Sequence, residues 1–138
     1  MRQICFALLL SLPVFAHAQT GDTVITPTGL RYIVLYEGSG VRPNAGQKVT
    51  VMYVGMFMDG KVFDESVEPF KYVLGDKGII PGWNEGLLFM PEGSKFRFII
   101  PAQWAYGDKG VRNADNPNQY DIPPGADLMF DIDLLRVR

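Results

Sequence analysis

Ile79-Ile80-Pro81-Gly82-Trp83-Asn84-Glu85-Gly86-Leu87-Leu88-Phe89-Met90 is the one stretch beyond the N-terminal leader whose residues predict a helix. Pro81 and Gly82 end an extended run, and Asn84-Glu85 favour a turn or two of helix. Trp83, Leu87, Leu88 and Met90 recur at the three-to-four spacing of a single buried face. Glu85, placed near the helix start, is read as a carboxylate favoured by the helix dipole and not as a catalytic group. Everything around the segment reads as strand. A short helix with Trp in its first turn, set among strands, predicts a sheet curled over that helix. The indole then lies near one end of the fold, where it can floor a pocket.

Working outward, Lys48 to Met58 is the strongest strand, apolar on both faces, which predicts cover on both faces over part of its length. Asp59-Gly60 between two apolar runs predicts a hairpin turn. The return strand starts at Val62-Phe63-Asp64, breaks over Glu65 to Pro69, and resumes at Phe70 to Leu74, which suggests a bulge or a corner. Lys95 to Ile100 alternates, with Phe96, Phe98 and Ile100 inward and Lys95 and Arg97 outward. Leu30 to Glu37 and Asp127 to Val137 are the remaining strands. In the last, Asp131 and Asp133 are read as a solvated face. Asp108 to Asp121 reads as a long polar loop with Asn113, Asn116 and Asn118. Loops of that length in a small domain are functional or mobile. The order of strands, one helix and strands, without repeats, defines an α+β domain with an antiparallel sheet curled around one short helix.

The N-terminus carries a different signal. Arg2, the apolar run Ile4 to Phe15 and the small-residue site Ala16-His17-Ala18 form the pattern of a secretory leader. The run falls short of the ~20 residues of a spanning helix. The expected organisation is a signal peptide over 1–18, a flexible arm over 19–28 and one domain over 29–138, exported to the periplasm or the medium without a stable membrane anchor. Cleavage would remove the only cysteine, Cys5, and the only histidine, His17. That excludes a cysteine nucleophile, a histidine base, a His/Cys metal site and a disulfide. Neither metal nor cofactor is expected. Removing Arg2 takes the formal charge from −2 to −3. Such a mildly acidic chain without a basic run has no footprint for nucleic acid.

Candidate functional residues are the aromatics at strand ends and breaks: Tyr53, Phe63, Phe70, Trp83, Tyr106 and Phe130. Each taken alone reads first as core, since aromatics dominate buried area. As a group they exceed what a small core needs, and the surplus would line an apolar cleft. Asp64 follows Phe63. It reads either as a turn cap or as a carboxylate that holds the Tyr53 hydroxyl. A carbohydrate platform would instead place flat aromatics on an exposed sheet face, which this distribution does not do.

Five segments then carry a resemblance. Val51-Met52-Tyr53-Val54-Gly55, Asp59-Gly60-Lys61-Val62-Phe63-Asp64, Gly78 to Gly86, Ala105-Tyr106-Gly107 and Ile122 to Asp131 resemble FKBP-type peptidyl-prolyl cis-trans isomerases, in that family's order, over about Gly29 to Val137. The resemblance implies catalytic roles for Tyr53, Asp64, Trp83 and Tyr106. It implies substrate contacts for Phe63, Phe70, Ile79, Ile80, Ile122 and Phe130. Trp83 would support the proline ring, and the Ile80 N–H and the Tyr106 hydroxyl would donate to a ligand carbonyl. The implied activity is rotation of X-Pro bonds in exported proteins without covalent chemistry, in a pocket that could also take FK506- or rapamycin-type ligands. A monomer is expected, since no helical arm that could pair two copies is read beyond the leader. A peptide-binding chaperone with little turnover is the alternative. The chain departs from the family in three places. Ser66 to Pro69 is short and offers no Arg to Asp64. The loop over 108–121 is long and polar. Trp104 stands beside the pocket segment, either as core or as an added contact.

Overall fold

The computed structural model describes residues 21–138. The leader pattern over 1–18 and the first residues of the arm lie outside the described residues. The chain forms β1 (Thr23–Ile25), β2 (Arg31–Tyr36), β3 (Lys48–Phe57), β4 (Val62–Glu65), β5 (Phe70–Val73), the helix α1 (Pro81–Gly86), β6 (Lys95–Ile100), β7 (Val111–Arg112), β8 (Tyr120–Ile122) and β9 (Leu128–Val137). Seven strands make one antiparallel sheet in the order β1-β2-β6-β9-β3-β4, with β5 also on β3. The interrupted return strand is thus two strands that share one neighbour. β4 pairs with the far half of β3 through a register shift, and β5 pairs with the near half. At the Asp59-Gly60 hairpin only Gly60 adopts a positive φ, +90°.

The inward positions of this sheet form the core. Val34, Val49, Val51, Phe96, Phe98, Ile100, Leu128, Ile132 and Leu134 are buried, and Trp83 and Leu87 close over them from the helical side. Helix and sheet come unusually close. A Cβ at Gly82 would stand 2.5 Å from Ile100, and one at Gly86 would stand 2.6 Å from Phe98. Residues four apart share a helix face, so these two glycines form one smooth strip that lies on β6. Pro81 occupies the first turn of α1, where its missing N–H is not needed. Asn84 ties the preceding turn in place: its side chain accepts from Gly75 N–H and donates to Asp76 O, both at 2.9 Å.

Several expectations need correction. After Gly86 the chain tightens into a 3-10 turn over Leu87–Phe89. That changes the period, and Leu88 turns outward with 40% exposure instead of joining the buried face. Glu85 sits near the end of α1, not in its first turn. Its carboxylate accepts from Thr28 Oγ1 at 2.6 and 2.7 Å and from Thr26 Oγ1 at 2.9 Å. The segment expected to be a flexible arm is accordingly held down where it is described. Thr23–Ile25 pairs with β2, and Thr26 is buried. Trp104 belongs to the same clamp, since its indole N–H donates to Thr28 O at 2.9 Å. Asp131 is not merely solvated: its two oxygens accept from Nε and Nη2 of Arg97, at 2.7 and 2.8 Å, across the β6–β9 ladder.

The segment over 108–121 is a built hairpin rather than a loop. β7 pairs with β8, and the Arg112 guanidinium lies 4.9 Å from the centre of the Tyr120 ring. Asn113 organises its tip, accepting from the N–H groups of Asp115 and Asn116 and donating to Asp121. Such Asx geometry gives polar residues an ordered backbone without a core.

The close contact of α1 and β6 makes a definite prediction. In an unobstructed helix Gly→Ala stabilises by about 0.5–1 kcal/mol. Gly86→Ala should instead destabilise by about 1–3 kcal/mol, because Phe98 has to move. Urea unfolding measures this, and a stabilised variant would show the contact to be loose.

Candidate functional site

α1 and the strands beneath it leave a hollow of about 180 Å³ over the indole of Trp83. Trp83 itself is only 5% exposed, so its ring serves as a floor and not as a projecting surface. Three rings stand edge-on to that floor. Tyr53 is 4.9 Å away at 75°, Phe130 is 5.3 Å away at 89°, and Phe70 is 6.3 Å away at 74°. Phe63 continues the wall, edge-on to Phe130 at 5.6 Å. Edge-to-face contact sets the positive rim of one ring against the negative face of the next, which fixes the geometry as well as burying area.

Each strand contributes by alternation. β3 sends Tyr53 inward, β4 sends Phe63, and β9 sends Phe130. Asp64 lies opposite Gly55. A side chain at Gly55 would collide with both Phe63 and Phe130 at 2.8 Å. This glycine therefore makes room for the wall. Ile79 and Ile80 form the rim where the chain enters α1. Tyr106 closes the far side, from a turn set by the Gly107 N–H bond to Ala102 O at 2.8 Å.

Nine of the ten residues singled out in the sequence line this one hollow: Tyr53, Phe63, Asp64, Phe70, Ile79, Ile80, Trp83, Tyr106 and Phe130. Ile122 does not. It is the buried last residue of β8, paired with Val111, and lines a neighbouring hollow of about 450 Å³. The two hollows share Phe63, Asp64 and Tyr106 as a common wall. Gly78, which also lines the first hollow, was not singled out. Neither was Gly55. A glycine inside a strand is the available signal for close approach.

Polar groups are few and specifically placed. The Tyr53 hydroxyl donates to Asp64 Oδ2 at 2.9 Å. No basic side chain lies within ion-pair distance of Asp64 among the described residues. Burial first, and then the bond and charge of Asp64, push the Tyr53 phenol up to about 12. Burial, followed by the Asp64 charge, also raises Tyr106. Both phenols therefore stay protonated at neutral pH, as donors. The Ile80 N–H makes no hydrogen bond among the described residues, although the Ile80 carbonyl accepts from Trp83 N–H at 3.0 Å. The indole Nε1 of Trp83 is buried and also lacks a partner there. The arrangement can hold a compact apolar ring against an aromatic floor and offer donors at its edge. Its side chains supply no nucleophile or base near neutrality beyond the Asp64 carboxylate.

A family profile described as FKBP-type peptidyl-prolyl cis-trans isomerase matches residues 40–135. FkpA of Aeromonas hydrophila, named as a peptidyl-prolyl cis-trans isomerase of the same type, is 40% identical over 125 residues, which is 88% of this chain and 43% of FkpA. The outer membrane protein MIP of Legionella longbeachae is 36% identical over 124 residues, 89% of this chain and 50% of MIP. The crystal structure of a peptidyl-prolyl cis-trans isomerase from Pseudomonas syringae superposes with a TM-score of 0.73 at 37% identity, covering 87% of this chain and 83% of that one. The chain spans 30%, 43% and 52% of the length of three of its curated relatives.

The Tyr53–Asp64 contact has a measurable signature. Asp64→Asn should bring the Tyr53 pKa down from about 12 toward, but not to, the free value of 10.0, because burial remains. In the wild type the raised pKa favours the native state while the unfolded phenol is still protonated. That stability is lost as pH rises from 10.0 through about 12. Phenolate absorbance during alkaline titration measures the shift, and an unchanged Tyr53 in Asp64→Asn would contradict the assignment.

Proposed function

The chain belongs to the FKBP-type peptidyl-prolyl cis-trans isomerase family, and from that premise we propose that the hollow over Trp83 accelerates rotation about X-Pro bonds in polypeptides. The observation that carries this reading is an indole floor with an opening above it, walled by three edge-on rings. The prolyl ring stacks on Trp83 between Tyr53, Phe70 and Phe130. Phe63 and the Ile79-Ile80 rim hold the residues on either side.

The chemistry needed is small. Amide resonance sets a barrier of ~18–20 kcal/mol, and no covalent bond has to break. The planar amide is strongly dipolar, and the twisted one has lost that resonance. An apolar, water-poor hollow disfavours the planar form more than the twisted form. Donors fixed at the rim, the Ile80 N–H and the Tyr106 hydroxyl, hold the carbonyl in the turned geometry. Asp64 orients Tyr53 and presents its negative end to the hollow. Each effect is stronger in the transition state than in the ground state, which is what raises the rate.

A peptide-binding chaperone with little turnover is a second reading. It draws on the larger hollow beside the first, which offers polypeptide contacts beyond the proline. The proposed clients are exported proteins. This is supported by the leader pattern over 1–18 and by similarity to a relative named as an outer membrane protein. No helix among the described residues is long and apolar enough to cross a membrane. FK506- or rapamycin-type ligands are proposed to compete for the same hollow, and the protein is proposed to act as a monomer.

Cis-to-trans conversion of a short X-Pro peptide tests the isomerase reading. Wild type should accelerate it. Tyr106→Phe should lower kcat/KM about tenfold, the loss of one donor, and Phe130→Ala should lower it at least as much. Unaltered rates in these variants would remove the site. Tight peptide binding without acceleration by wild type would leave the chaperone.

A further inference from the structure

The outer face of the sheet treats its charges differently at its two ends. In the middle they are matched: Arg97 stands opposite Asp131 and Lys95 opposite Asp133. At the end where β3 begins, cations gather instead. Thr50 faces outward between buried Val49 and Val51. Lys71 lies opposite it on one side and Arg136 on the other. Lys48 and Arg138 exchange both main-chain bonds, each at 2.9 Å. The four cations, with Thr50 and Pro69, surround a hollow of about 190 Å³. None of them has a carboxylate within ion-pair distance among the described residues.

Like charges on adjacent strands destabilise a sheet, and the chain as a whole is acidic, so a positive background does not explain the cluster. We infer that this hollow is a binding site for a phosphate-type oxyanion, free or as the phosphate of a small ester. Guanidinium forks match pairs of oxygens on such a group, and lysines add point charge. The Thr50 hydroxyl adds a further donor. The site is separate from the one described above. β5 sends Phe70 to the hollow over Trp83 and Lys71 to this one, on opposite faces of the same strand.

Amide chemical shifts of the protein, titrated with inorganic phosphate at low ionic strength, test the inference. Glycerol phosphate and matched sodium chloride form separate arms. Saturable shifts centred on Thr50, Lys71 and Arg136 are expected with both phosphates and not with chloride, and the tighter of the two identifies the natural form. The double variant Lys71→Gln/Arg136→Gln should bind at least about tenfold more weakly. Arg31→Gln, exposed at the other end of the same face, should bind as wild type does. Shifts that stay linear, that chloride reproduces, or that survive the double variant would overturn the site. Proline isomerisation measured in parallel reads the other hollow alone.

Discussion

Contact between a glycine strip and a strand governs this molecule. Gly82 and Gly86 let α1 lie directly on Ile100 and Phe98. At that distance the Trp83 indole falls flush with the sheet and faces the rings that β3 and β9 send inward. Moving the helix outward by one methyl group would lift the floor away from its walls. The apolar area buried here stabilises the domain by the ordinary hydrophobic effect. Its placement, more than its amount, is what leaves a ring-sized gap. Gly55 plays the same part from the other side by leaving room for Phe63 and Phe130.

Polar contacts then fix what the packing leaves free. Asn84 pins the turn before the helix, and Glu85 ties the helix to Thr26 and Thr28. Trp104 adds the Thr28 carbonyl to that clamp. The helix that floors the site is therefore held from below by the sheet and from its far end by the N-terminal segment. Inside the hollow, the bond between Tyr53 and Asp64 is the main polar link between two walls. Proposed catalysis by such a site rests on geometry that is set before substrate arrives, with little left to reorganise during rotation.

Much of this was legible in the sequence, for physical reasons. The alternation of Lys95 to Ile100 reads directly as a strand, and Pro81-Gly82-Trp83 reads as a helix start. Aromatics at strand ends pointed to the walls, because rings placed there can face a gap as well as a core. Other features depend on partners far along the chain. Nothing local shows that Glu85 will receive Thr28, or that Asp131 will meet Arg97 across a ladder. The two- and three-residue strands of the β7–β8 hairpin are too short for any period to register, and Asn113 orders them through its own backbone neighbours. Leu88 was misplaced because the helix changes pitch under it. Ile122 lines the adjoining hollow, a position set by its pairing with Val111 that no local period shows.

The central claim is that rotation is accelerated by shape and fixed donors, with no proton transfer in the rate-limiting step. The pH dependence and solvent isotope effect of kcat/KM for cis-to-trans conversion test it most directly. With Tyr53 and Tyr106 held protonated, the account predicts a flat profile between about pH 7 and pH 9 and nearly equal rates in H₂O and D₂O. A bell-shaped profile, or a clearly slower reaction in D₂O, would show a titrating acid or base at work and would contradict it.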